Sequence, residues 1–512
     1  MTQIVFNQGG QRRVSALGVS ALALMVASGG AHALDLDASI SGAITQDISM
    51  NLDNPASSNP ELEGNHRNRL SMVRTTLHLD IDAETDWATF VTKSRVVREA
   101  STRYMRRLED AGANAGDEES LREYYNETEL REAYVDFYPT RNTDVRLGKQ
   151  QVAWGETDFF QGTDLVHGFD FRWRSFLEPA NEELRKPVIM ANVTQHFPSL
   201  DGSLQVLVRP GLDRRTDIGN SYDLEGGRWA NTPNKGVDLT TLVPYNYEHD
   251  QGDYEDVTGG LRWEGFAGGV GYSLAYLHTF AADPVVSPAW NPYRSDDVRG
   301  PWGETIYPTV DVFGATANGY AGWGDFVWST EVAYIKDQPY NYGTVENASS
   351  ENVAAAALGL AGFEGIETKD VIRTMVRMDK DLRGLGRLVN ADRPAFFSVQ
   401  VFDTWITSYD SDDELVELVG FGQRSRENST LLTSILGLSY MNGRVNPELV
   451  LGFDTTYGGG FAVPSVAFEY GDNLRFKLEA DLFWGGDGVG SRSLFGYFED
   501  NNQLFARARY QF

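Results

Sequence analysis

The chain has 512 residues and no cysteine, and its 73 acidic residues outnumber 44 Lys and Arg, for a formal net charge of −29. The absence of cysteine excludes a disulfide framework and any cysteine-based metal site. Acidity without a compensating basic stripe argues against nucleic-acid binding. No linker-like composition divides the chain into the two or three soluble domains that its length would suggest.

The first 33 residues have the pattern of an export signal. Arg12 and Arg13 precede the apolar run VSALGVSALALMVASGG, and a small-residue box, AHA, ends at Ala33. The apolar run is short for a transmembrane anchor, which needs about 20 residues. We therefore expect residues 1–33 to be a signal peptide and residues 34–512 to be the mature protein.

The next stretch, residues 36–52, alternates between two faces. Apolar residues occupy nearly all of its even positions and polar residues most of its odd positions. A strand of this length is unusual in a soluble domain, where about five or six residues is typical. A tilted strand that crosses a membrane needs about ten residues. The stretch therefore predicts a membrane-crossing strand.

The same alternation recurs along the whole chain, and it predicts about 18 strands (16–18). The predicted strands start near residues 36, 70, 87, 130, 144, 187, 203, 256, 270, 307, 325, 369, 394, 430, 445, 461, 474 and 503. A soluble sandwich can also alternate, but it has no need of membrane-length strands. A propeller would repeat every 40 to 50 residues or so, and no such repeat is present.

The connections between these strands alternate in length. Seven of the eight even-numbered connections are tight turns such as AETD, NGR and GDN, the exception being 380–393. Most odd-numbered connections are long, and the short one is 454–460. The long connections are 98–129, 155–186, 211–255, 281–306, 336–368, 406–429 and 485–502. Short periplasmic turns and long outer loops are typical of outer-membrane barrels.

These features predict an all-β fold: a single closed antiparallel transmembrane β-barrel, integral to a Gram-negative outer membrane. Lipid offers no hydrogen-bond partner to the backbone, so a sheet in a bilayer must close on itself. The final stretch LFARARYQF also alternates, and we expect it to pair with residues 36–52. The aromatic terminus, Phe512, is of the kind that the barrel-assembly machinery reads. We expect this machinery, membrane lipid and lipopolysaccharide as partners, and the oligomeric state stays open.

Charged residues of the polar faces converge on one region of the predicted lumen. Strand directions place four basic side chains low on the last two strands, with one acid entering from the first strand and two acids higher up. These candidates are Arg475, Lys477, Arg507, Arg509, Asp37, Glu479 and Asp481. They form either an electrostatic ladder that orients a polar or anionic solute, or a wall of paired charges in a wet interior.

The connection at 155–186 carries more aromatic residues than a freely solvated loop needs. They are Phe159, Phe160, Phe169, Phe171, Trp173 and Phe176. One interpretation is that this loop folds into the barrel and narrows it; the other is that it packs against neighbouring outer loops. The apolar stretch 352–366 is expected to form a short helix in the barrel mouth or a cap on its rim.

A family resemblance appears at the same place. The stretch LREAYVDFYPTRNTDVRLGKQQVAWGETDFFQGTDLVHGFD resembles the signature of a proteobacterial family classed as a domain of unknown function. The family pattern is R-L-G-[RK]-Q-x-V-x-W-G-E followed by D-V-V-N-P-x-D, and His167 and Gly168 stand here where that pattern has Asn and Pro. The resemblance covers the mature chain and implies an outer-membrane barrel without an established substrate, with hydrophobic-compound uptake or envelope lipid traffic as a weak hint.

The residues of this motif are expected to hold the root of the loop rather than contact a ligand. Glycine permits close backbone approach or a positive φ, and the polar side chains can hydrogen-bond within the lumen. The motif residues are Gly148, Gln150, Trp154, Gly155, Glu156, Asp158, Asp164 and Asp170.

Three function classes follow from the predicted barrel. The favoured function is a porin-like channel for small solutes or hydrophobic organic compounds, because barrels of sixteen to eighteen strands leave an aqueous passage. The alternative is a plugged barrel that acts as a receptor or as the outer-membrane partner of an envelope lipid or hydrophobic-compound transport system. An enzyme is disfavoured, since no G-x-S-x-G elbow is present. No cofactor is expected, and the acidic outer loops lack EF-hand spacing for calcium.

Overall fold

The computed structural model describes residues 37–54, 59–62, 64–117, 119–155, 160–178, 181–232, 234–288, 300–343, 362–417, 423–486 and 493–512. The predicted signal peptide, Phe159, Glu156, Asp158 and most of the stretch 352–366 lie outside these residues.

Eighteen long strands form the barrel wall. They are β1 (Asp37–Asn51), β2 (Leu70–Glu84), β3 (Ala88–Glu99), β4 (Glu127–Thr140), β5 (Thr143–Gln150), β6 (Val188–Phe197), β7 (Gly202–Arg209), β8 (Thr258–Ala267), β9 (Val270–Phe280), β10 (Thr309–Ala321), β11 (Phe326–Tyr342), β12 (Gly365–Leu382), β13 (Ala395–Ile406), β14 (Asn428–Gly437), β15 (Val445–Asp454), β16 (Gly459–Tyr470), β17 (Leu474–Gly485) and β18 (Gln503–Gln511). Every predicted start lies within four residues of an observed one.

The strands close into a single antiparallel barrel. Each strand pairs with the next along the chain. The last strand pairs with the first, from Ala43 opposite Gln511 to Asn51 opposite Gln503. The predicted fold class, strand number and closure are therefore confirmed.

The two faces of each strand meet different surroundings. On β1, Ile40, Ile44 and Ile48 are exposed on the outside of the barrel, whereas Asp47 and Ser49 are buried inside. This is the reverse of a water-soluble protein, and it is the arrangement expected of a barrel with lipid outside and a polar interior.

The connections alternate in length, as predicted. The turns on the side where β1 begins are short, and the longest of them contains helix Arg383–Leu388. The loops at the other end carry helices Arg103–Ala111, Leu121–Tyr125 and Asn181–Leu184, and the strand pairs Glu248–His249 with Gly252–Asp253, Val285–Pro288 with Gly303–Ile306, and Leu415–Glu417 with Gln423–Arg424. Single 3-10 turns lie at Pro60–Leu62, Ser175–Leu177, Pro198–Leu200, Arg215–Asp217, Leu239–Thr241, Ser411–Asp413 and Gly496–Asn501. No helix in the described ranges is long and apolar enough to cross a bilayer.

One predicted loop is shorter than expected. The connection at 336–368 was expected to be a loop, but β11 continues to Tyr342 and β12 begins at Gly365. The register shifts between Ile335 and Gln338, and Asp337 adopts a positive φ of 57°. The polar residues at this bulge resemble the end of a strand in the sequence. The pairing of β11 with β12 nevertheless resumes at Gln338, beyond the bulge.

Two outer-loop helices pack together above the barrel wall. We name helix Arg103–Ala111 α1 and helix Leu121–Tyr125 α2. The Thr102 hydroxyl caps α1 by accepting a hydrogen bond from the Met105 amide at 3.0 Å, which satisfies a free helix amide. The helices bury an apolar cluster, which we call the outer-loop cluster. It contains Leu62, Tyr104, Met105, Leu108, Ala113, Leu121 and Tyr125.

Candidate functional site

The chain turns into the lumen where β5 ends. Gly148 has a φ of +131°, and a Cβ there would overlap the backbone of Ala133 on β4, so only glycine fits. The buried Gln150 side chain donates a hydrogen bond to the carbonyl of Met190 on β6 at 3.0 Å. It accepts one from the Asn192 amide at 3.2 Å. These contacts fix the start of the following segment, whose described residues 151–155, 160–178 and 181–187 we call the inserted segment.

The next motif residues hold the inserted segment to itself and to the wall. Trp154 is 2% exposed, and its indole N–H donates to Gln205 on β7 at 2.8 Å. Its backbone N–H donates to Asp164 at 3.3 Å, and Asp164 also accepts from Arg185 at 2.5 Å. A Cβ at Gly155 would lie 2.9 Å from the Asp164 side chain. The described motif residues therefore bond to protein groups.

Asp170, the last motif residue, pairs with a neighbour in the chain. Its two carboxylate oxygens accept hydrogen bonds from the Arg172 guanidinium, each at 2.8 Å. This bidentate arrangement is a strong form of the ion pair. Asp170 therefore shapes the inserted segment locally.

Sequence reasoning missed Glu331, which anchors the inserted segment to strand β11. Glu331 lies on β11 with its side chain fully buried. It accepts hydrogen bonds from the Thr163 amide at 2.7 Å and the Thr163 hydroxyl at 2.9 Å. A Cβ at Gly162 would overlap the same carboxylate. Nothing local in the sequence marks Glu331, because it alternates like any other lumen-facing residue.

His167 and Gly168 form the turn where the family pattern has Asn and Pro. The buried His167 ring accepts a hydrogen bond at Nε2 from the Val152 amide and donates one from Nδ1 to the Lys186 carbonyl, both at 2.9 Å. This pattern requires the neutral ring with its proton on Nδ1. A Cβ at Gly168 would overlap the backbone of Gly219. The histidine ring thus ties the two ends of the inserted segment together.

A buried arginine of the inserted segment binds the predicted lumen acids. Arg174 is 1% exposed. Its guanidinium forms ion pairs with Glu479, with Asp481 at 3.5 Å and with Glu178 at 3.4 Å. It also lies 3.9 Å above the ring of Phe505 on β18. Glu479 and Asp481 therefore both contact the inserted segment, and its buried Arg174 is their cation partner.

Two of the four predicted basic residues join this network. Arg507 binds Asp47 of β1 at 2.7 Å and Glu178 of the inserted segment at 2.8 Å. Lys477 binds Glu479 at 2.6 Å. The network thus links the inserted segment to β1, β17 and β18, where the barrel closes.

The other predicted charges lie apart from this network. Arg475 stands opposite Arg509 in the β17–β18 register, and neither forms an ion pair with a described residue. Asp37 is exposed at the start of β1, opposite Glu84. The acid from the first strand is Asp47 instead, because the register places Asp47 opposite Arg507.

Aromatic residues of the inserted segment are buried against the wall. Phe176 lies at the centre, with ring centroids of Phe160, Phe461 and Phe483 at 5.5, 5.3 and 6.2 Å. Phe495 of the last outer loop lies 5.9 Å away. Burial of these rings explains why this connection is so rich in aromatic residues.

Two cavities remain beside the inserted segment. We call the first, of about 300 Å³, the aromatic cavity. Its lining includes Phe160, Phe171, Phe176, Tyr222, Asp283 and Phe402. The second, of about 720 Å³, we call the polar cavity. Its lining includes Arg74, Arg95, Glu129, Arg131, Asp170 and Arg214.

The charges of the polar cavity are largely paired. Glu129 is its central acid, and it lies within 3.5 Å of Arg95, Arg131, Lys149 and Arg214. Charges removed from water need such partners. Among the described residues, no group of three or more His, Asp or Glu side chains is arranged to hold a metal ion.

A closed barrel of 18 strands, apolar outside and polar inside, with a loop segment packed in its lumen, has the architecture of a porin-like β-barrel. The chain belongs to the DUF1302 family, described as proteins of unknown function, whose sequence profile matches residues 14–512. This confirms the family resemblance. No curated protein matches the chain.

Three solved structures are similar along most of the chain. OccAB3 of Acinetobacter baumannii has 6% identity and a TM-score of 0.47, over 93% of this chain and 99% of its own. OccK5 of Pseudomonas aeruginosa has 7% identity and a TM-score of 0.44, over 93% and 98%. Salmonella typhi OmpF, in complex with daunomycin, has 10% identity and a TM-score of 0.39, over 93% and 97%. Similarity at this level does not bear on substrate.

Proposed function

We propose that the protein is an integral outer-membrane channel for small solutes or hydrophobic organic compounds, and that the inserted segment narrows its lumen. The observation that carries this proposal is the inserted segment itself, held to the wall by Glu331 on one side and by Glu479 on the other. A barrel of this size leaves an aqueous passage unless something fills it. The inserted segment then determines what can pass, and the two cavities beside it offer space for a solute.

The outer surface supports the membrane location. Large aromatic side chains are exposed near the short turns, among them Trp87, Tyr138, Tyr320, Trp323 and Tyr470. Aromatic girdles of this kind lie at the interface between lipid and water. In this proposal, membrane lipid and lipopolysaccharide surround the barrel, residues 1–33 direct export, and Phe512 is read by the barrel-assembly machinery.

A channel without catalysis fits the placement of three histidines of the barrel wall. His78, His196 and His278 each bind a different carboxylate, and the carboxylates are Glu183, Asp144 and Asp311. They lie on separate strands, whereas a hydrolase needs its nucleophile, base and acid in one place. We therefore assign these histidines to structure.

Transport measurements test the proposal. We expect the purified protein to give stepwise conductance in planar bilayers. In liposome-swelling assays, we expect it to admit selected members of a panel of sugars, carboxylates, aromatics and fatty acids. Failure of both assays would reject the channel. It would favour the alternative, a plugged barrel that acts as a receptor or as a partner of an envelope transport system.

One observation favours that alternative. The inserted segment is bound tightly rather than draped across the opening, since Arg174 and Phe176 are almost fully buried. The two functions differ in whether a continuous aqueous path through the lumen is ever open beside the segment. Conductance of the wild-type protein, compared with that of a variant without the segment, separates them.

A further inference from the structure

We propose that the aromatic cavity binds an organic cation, an ammonium group attached to an aromatic or alkyl body. This inference rests on the proposed channel function, because the ligand is then a solute that enters the lumen. Three features carry it: an aromatic wall, two carboxylates that form no ion pair with a described residue, and one buried amide donor that has no partner among those residues.

The aromatic wall comes from the inserted segment and the barrel together. Phe160 lies between Phe402 of β13 and Phe176, with ring centroids 5.6 and 5.5 Å apart. Phe171 faces Tyr222 at 5.6 Å. All five rings line the cavity. Aromatic faces attract cations as well as apolar groups.

The charges of the described lining favour a cation. Four carboxylates line the cavity, and they are Asp283, Asp403, Glu417 and Asp454. Two of them already have partners, since Asp403 accepts from Thr430 at 2.6 Å and Asp454 caps a turn at 2.9 Å. Arg373 is the one cation of the described lining. The negative charges therefore outnumber the positive charge.

The carboxylate of Asp283 is held by hydrogen bonds to one of its two oxygens. Its Oδ1 accepts hydrogen bonds from the Asn220 amide at 2.8 Å and from the Tyr222 hydroxyl. Its Oδ2 has no hydrogen-bond partner among the described residues. Because Oδ1 is anchored from two sides, the carboxylate is held in place for a donor from the cavity.

Glu417 and Gln423 add two further groups without partners. Glu417 lines the cavity and forms no ion pair with a described residue, and partial removal of its carboxyl from water raises its pKa to about 7. Gln423 is 6% exposed, and its Nε2 donor has no partner in the described part of the chain. Buried donors are nearly always satisfied. A ligand with a hydrogen-bond acceptor beside its ammonium group would satisfy this one.

The experiment compares three probes of similar shape: 2-phenylethylammonium, 2-phenylethanol and 3-phenylpropionate. Binding to the purified detergent-solubilised protein is measured by titration calorimetry at pH 7. We expect the cation to bind at least about tenfold more tightly than either other probe, the gain typical of a charge-assisted contact. We expect Asp283→Asn and Glu417→Gln each to weaken cation binding by about the same factor. Asp412→Asn removes an exposed rim charge as the matched control, and we expect no change.

Either of two results overturns the inference. If 2-phenylethanol binds as tightly as 2-phenylethylammonium or more tightly, the cavity selects only for apolar groups. If 3-phenylpropionate binds more tightly than the cation, Arg373 determines the charge preference of the cavity. The probe comparison uses the wild-type protein, so it holds even if a variant fails to fold. If the protein binds the cation selectively but shows no conductance, the channel function is rejected and the cation site stands. If it conducts but does not bind the cation selectively, the cation site is rejected and the channel function stands.

Discussion

At the scale of single residues, the lumen is organised by cations that serve several acids at once. Arg174 partners Glu178, Glu479 and Asp481, and Arg507 partners Glu178 again. A charge removed from water is costly unless its partners replace the lost hydration. The planar guanidinium suits this role because it donates in several directions. Each such residue therefore stabilises the inserted segment by joining groups from different strands.

We expect Arg174→Met to destabilise the inserted segment by about 3–5 kcal/mol, because it leaves buried carboxylates without a cation. Native-state proteolysis would measure the free energy of opening. The matched control is Arg67→Met, since the side chains of Arg67 and its partner Asp53 are 63% and 38% exposed and such a pair is worth at most about 1 kcal/mol. Equal effects of the two changes would contradict the assigned role of Arg174.

His167 provides a second test of the same segment. We expect His167→Leu to cost about 2 kcal/mol or more, because it leaves the Val152 amide and the Lys186 carbonyl buried without partners. Guanidinium unfolding in lipid vesicles would measure the free energy. His196→Leu is the control, because that histidine binds Asp144 on an exposed surface. If His167→Leu leaves the free energy of unfolding unchanged, the turn does not depend on the histidine ring.

The sequence predicts residue faces well and residue partners poorly. Alternation identifies Arg507 and Glu479 as lumen residues, since a period of two fixes the face. The alternation does not fix the position of a residue along the barrel axis. The sequence therefore predicts Asp37 as the first-strand acid near the basic residues, whereas Asp47 is the acid that binds Arg507. The bond between Thr163 and Glu331 joins positions 168 apart, and no local pattern reports such a contact.

At the scale of elements, the outer-loop cluster is tied to the neighbouring loop by two carboxylates. The Tyr125 hydroxyl donates to Asp223 at 2.6 Å, and the Tyr124 hydroxyl donates to Glu225 at 2.5 Å. Burial raises the pKa of Asp223 to about 6 and the pKa of Glu225 to about 8. The packing of α1 and α2 is therefore sensitive to pH.

We expect the outer loops to loosen as the pH rises. Both pKa values are raised above their unfolded values near 4, so the contribution to stability is full below about pH 4. It is lost progressively as the pH rises above about 4, and the loss is complete above about pH 6 for Asp223 and about pH 8 for Glu225. Amide hydrogen exchange in residues 103–125, corrected for intrinsic rates, should show protection that falls between about pH 4 and pH 8.

Variants identify the groups responsible. Asp223→Asn should remove the step near pH 6 and Glu225→Gln the step near pH 8. Glu248→Gln, an exposed change in the same outer loop, should leave both steps. Protection that is constant with pH in the wild-type protein would contradict the prediction.

Strands were predictable because an apolar outer face alternates with a polar inner face on each, the pattern typical of membrane barrels. The extension of β11 past Asp337 was not, because a bulge interrupts the alternation and resembles a strand end. The path of the inserted segment was left open between two interpretations. Its aromatic content showed that it must be buried, but burial in the lumen and burial among outer loops require the same residues.

At the scale of the whole molecule, the inserted segment divides the lumen. Replacement of residues 160–178 by a Gly-Ser linker of equal length should raise single-channel conductance several-fold, because an 18-strand barrel without a constriction leaves a wide aqueous passage. Planar-bilayer recording measures this. An equal replacement at residues 101–119, in the outer-loop cluster, is the control. Unchanged conductance in the first variant would place the limiting barrier elsewhere.

The pairing of β1 with β18 has a consequence for the order in which the protein acquires its shape. The Arg507–Asp47 contact spans 460 positions, and bringing such distant residues together costs on the order of 5 kcal/mol of chain entropy. Neighbouring hairpins can zip at little entropic cost, whereas the final ladder of nine residue pairs becomes favourable only once most of it has formed. Folding should therefore proceed through an open, curled sheet with two bare edges, a species prone to aggregate, and sealing should be the slow step.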